Sequence, residues 1–198
     1  MDGHFYALLA RMRYIQRWAL MRNTEPENIQ EHSHMVAILA HALALIQNKH
    51  FGGHIDPGQA VLLALYHDAT EILTGDLPTP IKYYNPALRA SYKEVEETAA
   101  NRLLELLPEE LRGDYAPYLL HPDPELEAVV KAADKLDAYL KCVKERKAGN
   151  GEFQTAQAQI WDALQANPLP ALGYFIEHYL PSFELTLDEL NGSTHTMF

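Results

Sequence analysis

Four ionisable side chains stand in apolar surroundings: His32, the adjacent pair His67 and Asp68, and Asp134. An imidazole or carboxylate placed there must be paired, exposed or bound to something. Two imidazoles and two carboxylates from three separate stretches suit one divalent ion such as Mn²⁺, Co²⁺, Zn²⁺ or Fe²⁺, with positions left for water and a ligand. Cys142 is the single cysteine, so a closed thiolate zinc site is not expected and no intrachain disulfide can form. Asp137, three residues after Asp134, shares its helix face and competes for the fourth ligand place. Glu71 follows His67 by four residues and Asp68 by three, so on one continuous helix it shares their face.

Each residue also has a plainer reading. A lone helical histidine is more often packed or solvated than a ligand, and Glu71 could be a solvated helix-end carboxylate. Arg17 could be a surface ion-pair residue and Trp18 a core side chain. Asp76 could cap the turn before Pro78. Cys142 reads as a small buried hydrophobe and Lys82 as a solvated cation. His4, His34, His41, His50, His54, His121, His178 and His195 have no partner in the sequence pattern and read as surface or packing residues.

The elements that must position these groups are helical. Phe5, Leu8, Leu9, Met12 and Ile15 recur at helical steps and predict an amphipathic helix ending near Arg17-Trp18. Asn28 with Glu31 three residues on predicts a capping box, and Val36, Leu39, Leu43 and Ile46 mark the buried stripe that His32 extends. His34 points elsewhere. Asp56-Pro57 opens a helix that is apolar almost all round, hence central, and is expected to run to Gly75. Further helices begin at Asn85-Pro86, Pro108 and Asp123-Pro124, the last carrying Asp134 to about Lys147. Two more follow the Gly149-Asn150-Gly151 break, over Phe153 to Leu164 and Leu169 to Leu180. Only Ser182 to Leu187 alternates like a strand, and residues 191–198 read as a frayed tail. The expectation is an all-α fold, one domain over 1–198, with about seven or eight helices.

The totals bound the function. The 198 residues suffice for a sizeable core. A net charge of −11, from 16 basic and 27 acidic residues, argues against binding a nucleic-acid polymer or an anionic membrane. No apolar run is long enough to span a bilayer and no signal peptide is evident, so a cytoplasmic protein is expected.

The motifs Glu31-His32-Ser33, Tyr66-His67-Asp68-Ala69-Thr70-Glu71 and Ala133-Asp134 resemble the H…HD…D pattern of the HD-domain metal-dependent phosphohydrolases. That skeleton alone is moderately specific. With Arg17-Trp18, Leu20-Met21-Arg22-Asn23, Leu73-Thr74-Gly75-Asp76-Leu77-Pro78-Thr79-Pro80 and Tyr139-Leu140-Lys141-Cys142 the chain is similar, from near its N-terminus to Leu187-Asp188-Glu189, to the bacterial YfbR-type 5′-deoxynucleotidases.

The resemblance implies an HD-type helical bundle that hydrolyses deoxyribonucleoside 5′-monophosphates with little base preference. It implies that His32, His67, Asp68 and Asp134 hold one divalent ion, Co²⁺ or Mn²⁺ favoured, with Glu71 managing protons and Arg17 gripping phosphate. Trp18 would pack on the sugar, where it could exclude a 2′-hydroxyl. Asp76, Leu77, Pro78 and Thr79 would border the nucleoside, with Asp76 accepting from the 3′-hydroxyl, and His32, Asp68 and Asp134 would also face the substrate. The chemistry agrees: a divalent ion neutralises phosphoryl charge and acidifies water, a carboxylate can take a proton, and a guanidinium fork fits phosphate oxygens. A homodimer is expected from the resemblance. The alternatives are an HD-type phosphodiesterase or dNTP triphosphohydrolase, and a nucleotide- or metal-binding module without turnover.

Overall fold

The computed structural model describes residues 3–78, 81 and 84–192. Among these the chain is helical, and extended pairing is limited to one isolated antiparallel bridge between Gln16 and Asn28. The segments are α1 (Phe5–Leu9), α2 (Ile29–His50), α3 (Pro57–Tyr66), α4 (Glu71–Thr74), α5 (Pro86–Glu105), α6 (Glu109–Leu119), α7 (Pro124–Lys147), α8 (Gln154–Gln165), α9 (Pro170–His178) and α10 (Leu187–Leu190). Short 3₁₀ turns span Ala10–Tyr14, Gly151–Phe153 and Leu180–Glu184. Setting aside the three short segments α1, α4 and α10, the longer helices fall within the number expected.

Local chemistry fixes the starts of the long helices. The Asn28 side chain accepts the Gln30 and Glu31 N–H groups, and Glu31 accepts the Asn28 N–H in return. Such a capping box satisfies donors that the first helical turn leaves orphaned. Asp56 and Asp123 do the same for α3 and α7, each with proline at the first helical position.

Helix α2 is the centre. It packs against α3 on one side and α7 on another. Its Val36, Leu39, Ala40, Leu43 and Ala44 join Ala60, Leu63 and Ala64 of α3 and Val129, Ala132, Ala133, Leu136 and Leu140 of α7. Leu39, Leu43 and Leu136 are fully buried, contributing about 1.5–3 kcal/mol each. A second, smaller core gathers Phe5, Ala69, Leu103, Leu104 and Leu107. The turn between α3 and α4 joins the two, with Ala64 in one core and Ala69 in the other.

Four expectations are corrected. The helix from Pro57 stops at Tyr66 rather than running to Gly75. His67 Nδ1 lies 2.6 Å from the Ala64 carbonyl oxygen and takes the acceptor that Asp68 N–H would use in a continuing helix. Tight turns follow, with Ala69 N–H on Tyr66 O and Glu71 N–H on Asp68 O, both at 3.0 Å. The same stretch is not buried all round, since Leu62 and Leu65 of α3 and Leu73 of α4 are exposed. The first helix gives way to a 3₁₀ turn and ends at Tyr14, because Ile15 turns extended and its carbonyl accepts Ile29 N–H. Ser182 to Leu187 is not a strand: Ser182 and Leu185 close 3₁₀ turns, then Thr186 caps α10. Of the tail expected to be frayed, 191–198, residues 193–198 lie outside the described residues.

Candidate active site

The first turn of α2, the turn that follows α3 and the middle of α7 bring four predicted side chains together. His32 Nε2 lies 3.2 Å from Asp134 Oδ1 and 3.5 Å from Asp68 Oδ2. His67 Nε2 lies 3.3 Å from Asp68 Oδ2, and the two imidazole centroids are 5.3 Å apart. Ligand atoms of His32, His67 and Asp68 fall within 4.8 Å of one another.

The hydrogen bonds decide which ring nitrogens face inward. His67 Nδ1–H donates to the Ala64 carbonyl. His32 Nδ1 sits 2.6 Å from Asp137 Oδ2, which as a carboxylate can only accept. Both Nε2 atoms are buried and make no aligned hydrogen bond. Two imidazoles tied outward at Nδ1 turn Nε2 toward two carboxylates, a donor set that fits a divalent ion once Nε2 carries no proton. Asp134 thus lies on the Nε2 side of His32 and Asp137 on its Nδ1 side.

Charge is concentrated here. Burial and the Arg17 charge push His32 down, but the Asp134, Asp137 and Asp68 carboxylates outweigh them and lift it to about 9. Burial pushes Asp134 up, and His32, His67 and Arg17 hold it well below the usual carboxylate range. Burial likewise opposes the charge of Arg17, yet Glu27, Asp134, Asp68 and Asp137 keep it above its ordinary value.

Arg17 and Trp18 lie not on a helix but on the loop between the first 3₁₀ turn and α2. Arg17 Nη1 binds Glu27 Oε2 at 2.5 Å and reaches 3.9 Å from Asp137; Nη2 is 3.9 Å from Asp134 Oδ1. Trp18 Nε1–H donates to the same Glu27 carboxylate. Trp18 adopts φ 57°, a left-handed backbone that a non-glycine residue enters only when its surroundings impose it. The impositions are visible: Arg17 N–H donates to Glu27 O, Asn23 Nδ2–H to Trp18 O, and the indole lies 5.3 Å from Phe153. Glu27 escaped the sequence reading because only the closed loop brings it back to Arg17.

The resemblance expected over most of the chain is decided by a family model, that of the YfbR-like 5′-deoxynucleotidases, which matches residues 4–183. The chain belongs to this family. A 5′-deoxynucleotidase of Vibrio parahaemolyticus is 53% identical over 192 residues, covering 96% of this chain and 99% of that protein. An HD-domain phosphohydrolase from Listeria innocua superposes with a TM-score of 0.79 at 22% identity, covering 91% of this chain and 88% of the other. A cyanophage S-2L HD phosphohydrolase, bound to dA and one catalytic Zn²⁺, superposes with a TM-score of 0.61 at 23% identity, covering 91% and 96%. The all-α HD fold is thereby established.

The other predicted residues of this YfbR-like chain are placed as follows. Glu71 opens α4 and is tied to the cluster by its N–H on the Asp68 carbonyl. It is thus on a separate short helix, and i,i+3 turns rather than a continuous α-helix set its position after Asp68. Asp76 follows Gly75, whose φ of 73° lets the chain turn out of α4. Burial raises the Asp76 carboxyl, while the Arg17 charge and the Trp18 N–H oppose that rise, so Asp76 faces the Arg17–Trp18 loop. Leu77 and Pro78 are half-buried beside it. Thr79, Pro80 and Lys82 lie outside the described residues. Cys142 is buried, and burial pushes its thiol up to about 12, as an inert packing residue requires. No described helix is long and apolar enough to cross a membrane.

Proposed function

We propose that His32, His67, Asp68 and Asp134 hold one divalent ion, Co²⁺ or Mn²⁺ in preference to Zn²⁺ or Fe²⁺, and that the chain carries out the 5′-deoxynucleotidase reaction of its family on this site. The reading is supported above all by the two buried Nε2 atoms turned toward two carboxylates with no aligned hydrogen bond. An ion held there supplies charge neutralisation at the phosphoryl oxygens and acidifies water. The dA and Zn²⁺ of the cyanophage relative fit the same kind of ligand and metal.

The chain's own residues do the rest. Arg17 presents its guanidinium fork to phosphate oxygens, pre-oriented by Glu27. Glu71 accepts a proton of the attacking water as the water oxygen bonds to phosphorus and the bond from phosphorus to the 5′-oxygen breaks, and the released 5′-oxygen takes up a proton to leave as the deoxynucleoside hydroxyl. Trp18, held by Phe153 and Glu27, closes the sugar side and excludes a 2′-hydroxyl. Asp76, with Leu77 and Pro78, borders the nucleoside, and Asp76 accepts from the 3′-hydroxyl. Base identity then matters little. We take the working form to be a cytoplasmic homodimer; exposed Tyr6, Tyr14 and Val95 give a second copy apolar surface to cover. Light scattering tests that point.

The test is phosphate release from dAMP, AMP and 3′-dAMP with added Co²⁺ or Mn²⁺. Turnover of dAMP alone is expected. Equal turnover of AMP would defeat the sugar selectivity, and release of triphosphate from dNTPs would favour a triphosphohydrolase.

A further inference from the structure

The mechanism above uses Asp134 and leaves Asp137, one helical turn further along α7, without a task. Yet Asp137 is the more deeply buried of the two, its side chain 4% exposed against 37%. Carboxylates are seldom buried so completely without a partner that needs them. Its Oδ2 lies 2.6 Å from His32 Nδ1 and 3.9 Å from Arg17 Nη1.

Ligand atoms of Glu27, His32 and Asp137 also gather within 4.8 Å, as a second metal site would require. The geometry argues against one. At 2.6 Å, His32 Nδ1 shares a proton with Asp137 and has no lone pair to give. The Arg17 guanidinium, 2.5 Å from Glu27 and 3.9 Å from Asp137, already supplies the positive charge.

We propose that Asp137 is a positioning residue, which holds His32 in the Nδ1–H form so that Nε2 alone faces Asp68 and Asp134. This rests on the reading of His32 as a metal ligand. A neutral imidazole has two tautomers, and the acceptor on one nitrogen selects between them. His67 receives the same selection from a backbone carbonyl, a neutral acceptor. His32 receives it from a carboxylate, which also makes the ring a stronger donor to a metal. The two imidazoles of the site are thus unequal, and His32 is the stronger ligand.

The test is the Co²⁺ affinity of the full-length protein, measured by chelator competition and by the visible absorption of bound Co²⁺, for wild type, Asp137→Asn and Asp137→Ala. Circular dichroism checks that each variant is folded. Asp137→Ala should bind Co²⁺ about 10–100-fold more weakly than wild type. Asp137→Asn keeps an amide oxygen that can accept the Nδ1 proton but loses the charge. It should show a smaller loss and, at saturating Co²⁺, the wild-type spectrum. A folded Asp137→Asn or Asp137→Ala protein with wild-type Co²⁺ affinity overturns the inference. An Asp137→Asn protein as weak as Asp137→Ala overturns it too. Wild-type protein that takes up no Co²⁺ overturns the metal reading of the site itself, and this inference with it.

Discussion

Replacing Glu145 tests whether the loop that carries Arg17 and Trp18 is held from behind. Glu145 and Lys141 are both on α7, with side chains 1% and 3% exposed and Lys141 Nζ 2.5 Å from Glu145 Oε1. Glu145 also accepts the Thr24 N–H at 2.9 Å and Asn150 Nδ2–H at 2.8 Å. Lys141 donates to the Glu25 carbonyl, and Asn150 to that of Arg22. Three backbone points of the loop are thus tied to one buried ion pair. Glu145→Ala strands the Lys141 charge, a change that costs about 3–5 kcal/mol. For a chain of this size that is a fall in Tm of roughly 6–20 °C. Replacing both, as Lys141→Met with Glu145→Leu, removes the stranded charge and should restore much of the loss. Burial pushes the Glu145 carboxyl up, but Lys141, Asn150 and Thr24 win and hold it well below the usual carboxylate range. Its folded-state value is therefore depressed, so its stabilisation is complete above about pH 4.5 and is lost as pH falls below that. Wild type and Glu145→Ala should accordingly converge in Tm on acidification. Thermal melts of the single and double variants from pH 7 to 3 measure this. A Glu145→Ala protein with wild-type Tm at pH 7, or a double variant no better than the single one, would refute the reasoning.

The remaining predictions concern the site. Glu71→Gln should lower kcat by about 10²–10⁴ while Co²⁺ still binds, as steady-state kinetics and metal analysis can show; an unchanged kcat removes Glu71 from proton transfer. Trp18→Ala should lower the preference for dAMP over AMP by about tenfold, read from the ratio of kcat/KM values. Because His32 is lifted to about 9, an incoming metal must displace a proton below that pH. Metal affinity should rise about tenfold from pH 7 to 8 and then level off as pH passes about 9, as chelator competition at several pH values can check.

The sequence by itself determined the helical class, the caps at Asn28, Asp56 and Asp123, and the inward direction of His32. Each depends on contacts within a turn or on a helical period, so neighbours in sequence suffice to specify it. It also marked His67, Asp68 and Asp134 as groups that needed partners. The break after Tyr66 was not legible, because it depends on the His67 ring capturing the Ala64 carbonyl, a choice that helical periodicity does not encode. Alternation at Ser182 to Leu187 suggested a strand, but a strand needs an edge to pair with, and the described chain offers none there. Spacing alone did not separate Asp134 from Asp137; only the family motif pointed to Asp134. Both share a helix face, and only the packing of α2 against α7 sets one carboxylate on each nitrogen of His32. Glu27 acts on Arg17 and Trp18 only because the loop ends are paired at Gln16 and Asn28. Tertiary structure therefore decided which polar groups converge on the His32 and His67 Nε2 atoms and which tie the other ring nitrogens, since that depends on distances between helices that no local pattern carries.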